Sequence, residues 1–287
     1  YFIQNQKMNL KLVADKLPFN QVARYKMIKN TKIEADGAVS GSLELNIDTK
    51  TKKGTLDGKF SSDNIRISNS NFQNIKTTMK ITNEKLTLSD TSFVFNENFS
   101  GFKVNEDVKV SKFVYDLKKK TGTGDYVLNN LGSDFSIKKV TGRADISSKN
   151  IVTGTVRSNV LNGRYTVNPH TQTVVVNANS SGYFTLNYGG KSYTVNPDVS
   201  NLIVKFNEKN MLRSGQINAK IKDLSMPFVN TINANVKIHN GNYNISGTAG
   251  IKGGGIVNIS GTTSSNMKHS YSLKLPKNID IAKLLRA

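Results

Sequence analysis

The chain has 287 residues, contains no cysteine, and carries 40 lysine and arginine residues against 20 aspartate and glutamate residues, a formal charge of +20. The absence of cysteine excludes disulfides, thiolate nucleophiles and metal sites that use cysteine ligands. The positive charge fits a surface for nucleic acid, a surface for anionic lipid headgroups, or a solvated face without a partner. The lysines are spread along the whole chain, which favours the third interpretation.

The chain begins at Tyr1 without an initiator methionine, and its sequence shows no signal segment. It also contains no apolar run near the roughly 18 residues that a membrane-spanning helix needs. We therefore expect a piece of a longer protein, with any membrane anchor or targeting signal outside this sequence.

Two short helices are predicted, one near each end. The first covers Asp15–Ile28, with Pro18 in its first turn and Val22, Ala23 and Met27 at helical spacing. The second covers residues 276–287, where three apolar residues share one side. We expect both to cap the end of a β-structure.

Most of the remaining chain alternates apolar residues with serine, threonine, asparagine and lysine, the pattern of antiparallel strands with one apolar and one polar face. The sequence therefore predicts an all-β fold built as a long antiparallel meander. The residues predicted to form the apolar lining are Leu43, Leu45, Ile47, Ile65, Ile67, Met79, Ile81, Leu86, Leu88, Phe93, Phe95, Phe113, Tyr115, Val174, Val176, Phe184, Leu186, Ile217, Ile221, Val236 and Ile238.

The predicted connections are short. Asn83-Glu84, Asn162-Gly163 and Asn240-Gly241 each predict a two-residue turn, and the two Asn-Gly pairs favour the positive φ angles of type I′ turns. The string YTVNP occurs at Tyr165–Pro169 and again at Tyr193–Pro197, and each copy predicts a strand that ends in an Asn-Pro turn.

Motifs for catalysis or metal binding are weak. His170, His239 and His269 stand alone, without the spacing that would put two imidazoles on one metal ion. Gly189–Ser192 resembles the end of a phosphate-binding loop, but a strand pattern follows it where such a loop requires a helix. No G-x-S-x-G motif is present. We predict that the chain is not an enzyme and uses no cofactor or metal.

Nucleic-acid binding combines a basic stripe with aromatic residues that stack on bases. The densest basic cluster is Lys118–Lys120, in a predicted hairpin loop. The nearby Phe113 and Tyr115 share the alternation of a strand and are explained by its apolar face. We therefore predict no nucleic-acid partner.

The segment Leu17–Phe95 combines "LPFNQVARY", "ADGAVSGSLELN", "KGTLDGKFSSDNIRIS" and a strand–turn–strand around "ITNEKLTLSDTSF". In its glycine spacing and alternation it resembles the repeating element of the AsmA-like superfamily, most closely the TamB family. The resemblance implies a β-taco, an antiparallel sheet curled lengthwise into an elongated amphipathic groove. It also implies phospholipid acyl chains as ligands, the periplasm of a diderm bacterium, an inner-membrane anchor, and an outer-membrane β-barrel partner of the TamA/BamA type.

On this resemblance we expect residues 1–287 to be one elongated groove segment, with internal repeats at 17–141 and 142–287 as an open possibility. Its expected function is to bind or conduct phospholipid between the inner and outer membranes and to aid outer-membrane protein assembly. The alternative is a structural or adhesive β-sandwich or β-solenoid without a ligand. The two differ in whether the alternating apolar side chains line an open trough or are sealed between sheets.

Overall fold

The computed structural model describes residues 2–4, 7–18, 35–67, 70–99, 102–131, 137–188, 190–205, 212–222, 229–252, 255–264 and 268–274. The regular structure in this part of the chain is all β-strand, and it contains no helix. The prediction of an all-β antiparallel meander is confirmed.

The strands differ in length, and the longest have 15 residues. Their bounds are β1 Phe2–Gln4, β2 Lys7–Pro18, β3 Ala35–Asp48, β4 Lys53–Ile67, β5 Ser70–Thr82, β6 Lys85–Phe99, β7 Phe102–Asp116, β8 Thr121–Leu131, β9 Ile137–Ile146, β10 Val152–Arg157, β11 Leu161–Asn168, β12 Thr173–Ser180, β13 Phe184–Tyr188, β14 Lys191–Lys205, β15 Leu212–Lys222, β16 Val229–His239, β17 Asn242–Ile251, β18 Ile256–Thr263 and β19 His269–Lys274.

The chain divides into two compact units. The first contains Tyr1–Ser133 and Lys138–Asn150, and the second contains Asp134–Ile137 and Ile151–Ala287. The prediction of one elongated segment with internal repeats stays a prediction.

Both units are built by pairing strands with their neighbours along the chain. In the first unit β1 to β8 pair successively and antiparallel. In the second unit the order is β10–β11–β12–β14–β15–β16–β17–β18–β19. Strand β13 is the exception to this order, because it pairs with β14 on the same side as β12.

Two of the predicted two-residue turns are confirmed. Asn83 and Glu84 have φ angles of 49° and 61°, and Asn240 and Gly241 have φ angles of 48° and 74°. Both residues of a type I′ turn need positive φ, and this turn matches the twist of the strands that it joins. The phosphate-loop interpretation of Gly189–Ser192 fails as the sequence predicted, because strand β14 begins at Lys191.

The third turn prediction is wrong, because Asn162-Gly163 lies within β11. Gly163 pairs with Ala178, and a Cβ added to this glycine would lie 2.6 Å from the Asn177 carbonyl oxygen. The glycine permits a close approach of two strands, which is the other common reason for glycine in a sheet.

The prediction for the second YTVNP copy is also wrong. The first copy leaves β11 at Asn168 as predicted, but Pro197 lies inside β14. On one side of β14, the pairing with β13 ends at Val195 and the pairing with β12 begins at Val199. Pro197 occupies the gap between them, where the missing N–H costs no ladder hydrogen bond.

The predicted first helix is wrong where the structure describes it, since Asp15–Pro18 continue strand β2. The rest of that helix, residues 19–28, and the whole of the predicted helix at 276–287 lie outside the described residues.

A line of β-bulges crosses the first unit. Register shifts mark it, together with positive φ angles at non-glycine residues: the shifts lie at Ala14/Leu17, Gly37/Ser40, Gln73/Lys76 and Val110/Lys112, and the angles are 50° at Lys16, 51° at Asn74 and 50° at Asp90. A bulge inserts an extra residue, bends its strand and increases the twist. Aligned bulges therefore bend the strands of this unit along a common line, consistent with the predicted curled groove.

Candidate functional site

The first unit carries a continuous apolar face, which we call the first apolar face. Residues paired directly across a ladder project from the same side of a sheet. One row of such partners is Leu10, Leu45, Leu56, Ile81, Leu86, Tyr115 and Gly122, and the next is Leu12, Leu43, Gly58, Met79, Leu88, Phe113 and Gly124. Each row crosses seven strands without a charged residue.

The face continues beyond the line of bulges. Phe72 pairs with Ile65 and with Phe95, and its ring lies 5.6 Å from the ring of Phe93 and 5.4 Å from that of Phe95. Thr77 lies on the same side of β5 as Met79, which pairs with Leu88 before the bulge at Asp90. Its hydroxyl is 2.7 Å from that of Thr91, so Thr91, after the bulge, projects to the same side as Leu88. The extra residue therefore keeps Leu88 and Phe93 on one face although they are five positions apart.

All the predicted lining residues of the first unit whose side chains are described lie on this face. For Ile67 only the backbone pairing with Ala35 and Ser70 is described. Leu56, Phe60, Phe72, Val108 and Val110 also belong to the face and were missed by the sequence analysis. Glycines, threonines and bulges interrupt the alternation of apolar residues in these strands. Around Leu56, however, apolar and polar residues still alternate, and this pattern could have identified Leu56 as a lining residue.

The second unit carries a second apolar face with the same construction. The rows of directly paired residues are Val167, Val174, Val204 and Leu212; Gly163, Ala178, Val199, Ile217, Val236, Ile245, Gly261 and Tyr271; and Phe184, Val195, Ile221, Ile232, Ala249 and Val257. The predicted residues Val174, Val176, Phe184, Leu186, Ile217, Ile221, Val236 and Ile238 all lie on this face. Val199 and Leu202, which the prediction omitted, lie on it as well.

A bulge joins the two halves of β14 on this face. Val199 pairs with Ala178, and Leu202 pairs with Val176, so both project to the same side although they are three positions apart. Asn201 between them has a φ of 47°, and its N–H donates to Asn177 Oδ1 at 2.7 Å. This side-chain acceptor replaces the ladder partner that the bulge removes.

Within the described residues, neither apolar face is sealed. Among the predicted lining residues with described side chains, only Ile65 and Ile238 are buried, and the others are half-buried. No large side chain in the described part of the chain is less than 2% exposed. Exposure is greatest on β2 and β19, where Leu12 is 55% and Leu273 is 69% exposed. The two faces therefore keep apolar surface that solvent or a ligand can reach.

Aromatic rings lie flat on these faces where the neighbouring strand has glycine. The rings of Phe113 and Tyr115 are stacked, with centroids 6.4 Å apart. A Cβ added to Gly122 would lie 2.7 Å from Phe113 Cζ and 2.9 Å from Tyr115 Cδ2, so the two rings occupy the space that a side chain would fill. Such aromatic–glycine pairing stabilises the strand and leaves a smooth apolar surface.

Serine and threonine hydroxyls follow the line of bulges in the first unit. Ser62, which is only 7% exposed, donates to the Ala38 carbonyl at 2.6 Å, and Ser40 Oγ accepts from the Lys16 N–H at 2.9 Å. Thr91 Oγ1, which lies 2.7 Å from the Thr77 hydroxyl, donates to the Ser89 carbonyl at 3.5 Å. These hydroxyls satisfy backbone polar groups beside the bulges. They hold the bend without placing a charge on the apolar face.

Along the rows given above, charged groups lie on the opposite faces and at the turns, whereas beyond the bulges Glu106 pairs directly with Phe95. Lys80 Nζ approaches Asp57 Oδ1 to 3.3 Å on the polar side of the first unit, where both side chains are solvent-exposed. On the second apolar face, burial raises the pKa of the Tyr243 hydroxyl above its usual value, so this group stays neutral. Neither arrangement pairs a nucleophile with a base.

The part of the chain that the structure describes contains no group of three or more potential metal ligands. Within the same residues, no helix is long and apolar enough to cross a membrane. No family model, curated protein or solved structure matches the chain.

Proposed function

We propose that the two apolar faces bind phospholipid acyl chains, and that the chain is a lipid-conducting segment of an AsmA-like, TamB-type protein. The observation that carries the proposal is the continuity of the apolar rows together with their partial accessibility. A one-sided amphipathic sheet must cover its apolar side, and an acyl chain can do so without specific polar contacts.

The dimensions of the first apolar face suit such a ligand. Seven strands about 4.8 Å apart make each row about 29 Å long, close to the roughly 30 Å thickness of a bilayer's hydrocarbon core. An acyl chain, which spans one leaflet, is about half as long. Each CH₂ transferred from water to this surface contributes about 0.8 kcal/mol, so a long chain gains affinity along the whole row.

The absence of charge from the rows supports movement as well as binding. A fixed cation on the path would hold a headgroup, and a fixed anion would need a costly desolvation. The described rows place only aliphatic, aromatic and glycine residues in line. The proposal therefore assigns these faces no catalytic group.

The cellular setting belongs to the same proposal and is supported by the resemblance of Leu17–Phe95. It comprises the periplasm of a diderm bacterium, an inner-membrane anchor, transport between the two membranes, and an outer-membrane barrel partner.

The test compares two carboxylates introduced at adjacent positions on opposite faces. Leu45→Asp puts a charge in the middle of an apolar row, and Asn46→Asp puts the same charge on the polar face of the same strand. The chain and both variants are expressed, examined by native mass spectrometry, and extracted for bound lipid. Far-UV circular dichroism checks that the sheet is retained.

We expect phospholipid on the unmodified chain and on Asn46→Asp, and at least about tenfold less on Leu45→Asp. A carboxylate beneath an acyl chain must be desolvated, which costs more than the roughly 1.4 kcal/mol that corresponds to a tenfold change. A lipid-free chain, or equal occupancy in both variants, would overturn the proposal. Either result would favour the structural or adhesive module.

A further inference from the structure

One end of the first unit gathers three hairpin turns. Because the strands form a meander, every second turn lies at the same end, so β3–β4, β5–β6 and β7–β8 turn there. We call this end the basic rim. It consists of the turns Thr49–Lys52, Asn83–Glu84 and Leu117–Lys120 with the adjoining strand residues Lys7, Asp48, Lys53, Lys85 and Asp116.

The basic rim has a strong excess of positive charge. Eight of its residues are lysines, all solvent-exposed, and three are acidic, which leaves a net charge of +5. The ion pairs Lys80–Asp57 and Arg143–Asp145 do not involve these lysines. Lys7 lies near Asp48, and Lys85 and Lys119 lie near Asp116, but the lysines of the rim outnumber its acidic residues. The folded sheet therefore concentrates charge that is scattered along the sequence.

Two of the three acidic residues organise the turns. Asp48 Oδ1 accepts the N–H groups of Lys50 and Thr51 at 2.9 and 3.0 Å. Asp116 Oδ1 accepts those of Lys118 and Lys119 at 3.1 and 2.8 Å. The fourth residue of each turn, Lys52 or Lys120, has a φ of 56°. The two turns thus share one architecture, in which a carboxylate fixes the backbone that presents the lysines.

The rim behaves as one surface. The Leu117 N–H donates to the Glu84 carbonyl at 2.8 Å, which joins the β7–β8 turn to the β5–β6 turn. Between the β3–β4 and β5–β6 turns, a cavity of about 500 Å³ is lined by Lys7, Lys53 and Asp48 and by the amides of Asn46 and Asn83. A phosphate-sized group that entered it would meet two cations, several hydrogen-bond donors and one carboxylate, whose Oδ1 already accepts two backbone N–H groups.

Leu117 distinguishes between the possible anionic partners. This side chain is 39% exposed at the tip of a turn and is followed directly by three lysines. An apolar tip surrounded by cations suits the boundary between headgroups and acyl chains of a membrane. The three turns contain no aromatic residue, whereas surfaces for single-stranded nucleic acid stack bases on aromatic rings.

We propose that the basic rim docks the chain onto the surface of bilayers that contain anionic phospholipid, with the lysines on the headgroups and Leu117 inserted among them. This goes beyond lipid binding by the apolar faces and does not depend on it. Leu45→Asp should leave docking intact, and loss of docking should leave lipid co-purification intact.

The experiment measures flotation of the 287-residue chain with vesicles of phosphatidylcholine, with and without phosphatidylglycerol. The test variant replaces Lys118, Lys119 and Lys120 by glutamine. The matched control replaces three lysines in the middle of strands of the same unit by glutamine, at Lys59, Lys76 and Lys109, and so removes the same charge away from the rim.

We expect binding to the anionic vesicles only. Each lysine near an anionic surface contributes about fivefold in affinity, so the rim variant should bind roughly a hundredfold more weakly. The control should change far less. Raising the salt from about 0.1 M to about 1 M, which shortens the Debye length from about 10 to about 3 Å, should release the protein.

Equal binding to both kinds of vesicle, equal loss in the rim and control variants, or tighter binding to a single-stranded oligonucleotide than to anionic vesicles would each overturn the proposal. If the triple variant does not fold, the single change Lys119→Gln and the salt titration of the unmodified chain apply the same criteria.

Discussion

Deletion of Asp90 tests whether the bulge holds the two halves of β6 on one face. Asp90 is an exposed residue with a φ of 50° between Leu88 and Phe93. Removing it moves every later residue of the strand to the opposite face of the sheet, if the pairing stays in place. Either Phe93 and Phe95 turn to the polar side, or the ladder beyond the bulge slips by one residue.

The expected loss follows from the contacts of these two rings. Exposing two half-buried phenylalanines costs about 2–4 kcal/mol, and losing their two ring contacts with Phe72 costs about 1–3 kcal/mol more. The sum is a large part of the roughly 5–15 kcal/mol that stabilises a typical domain. Urea unfolding followed by far-UV circular dichroism measures it as a lower midpoint.

The control for this deletion is Asp90→Gly, which keeps the residue count and suits the positive φ angle. It should be as stable as the unmodified chain, or more stable by up to about 1 kcal/mol. If the deletion leaves the free energy of unfolding within about 1 kcal/mol of the original, the bulge does not set the faces, and the assignment of Phe93 and Phe95 to the same face as Leu88 is wrong.

Three further predictions concern turns and edges. Gly241→Ala puts a Cβ at a φ of 74° and should lower stability by about 1–2 kcal/mol, seen as a lower melting temperature, whereas an unchanged melting temperature would contradict the type I′ turn. The hydrogen bonds to backbone N–H groups lower the pKa values of Asp48 and Asp116 below their usual 3.8. The two ionised carboxylates therefore stabilise the folded state above about pH 4, and this contribution is lost as the pH falls through the lowered pKa values. The double variant Asp48→Asn, Asp116→Asn lacks these carboxylates. In urea unfolding at decreasing pH, it should lose less stability than the original chain. Leu273→Lys on β19 should reduce any self-association seen in sedimentation velocity and change the free energy of unfolding by less than about 0.5 kcal/mol. This side chain is 69% exposed, and the pairing described for β19 is with β18.

The strands were predictable because period-2 alternation is a local signal. Within a run such as Leu43, Leu45 and Ile47, the side-chain direction follows from the pleat alone. The turns at Asn83-Glu84 and Asn240-Gly241 were predictable for a similar reason, since two adjacent residues that tolerate positive φ determine the turn type.

The sequence did not predict whether successive apolar runs of one strand lie on the same face, because this depends on the bulges between them. Nothing local distinguishes Asp90 or Asn201 from other polar residues, yet each restarts the alternation and keeps the next apolar run on the same face. The turn predictions at Gly163 and Pro197 were wrong for a related reason. Both residue types favour turns, but here a close strand and a gap in the ladder explain them.

The hydroxyls beside the bulges explain how the apolar face can bend without a charged side chain at the bend. Bending strands along one line breaks ladder hydrogen bonds, and an unpaired buried N–H or C=O group costs about 1–3 kcal/mol. Hydroxyls at Ser62 and Thr91 satisfy such groups from within the sheet, by donating to the carbonyls of Ala38 and Ser89. A charged side chain could provide the same hydrogen bonds, but it would put a charge beside the apolar rows. Short neutral hydroxyls therefore reconcile the two requirements of a bent sheet and a surface over which an acyl chain can slide.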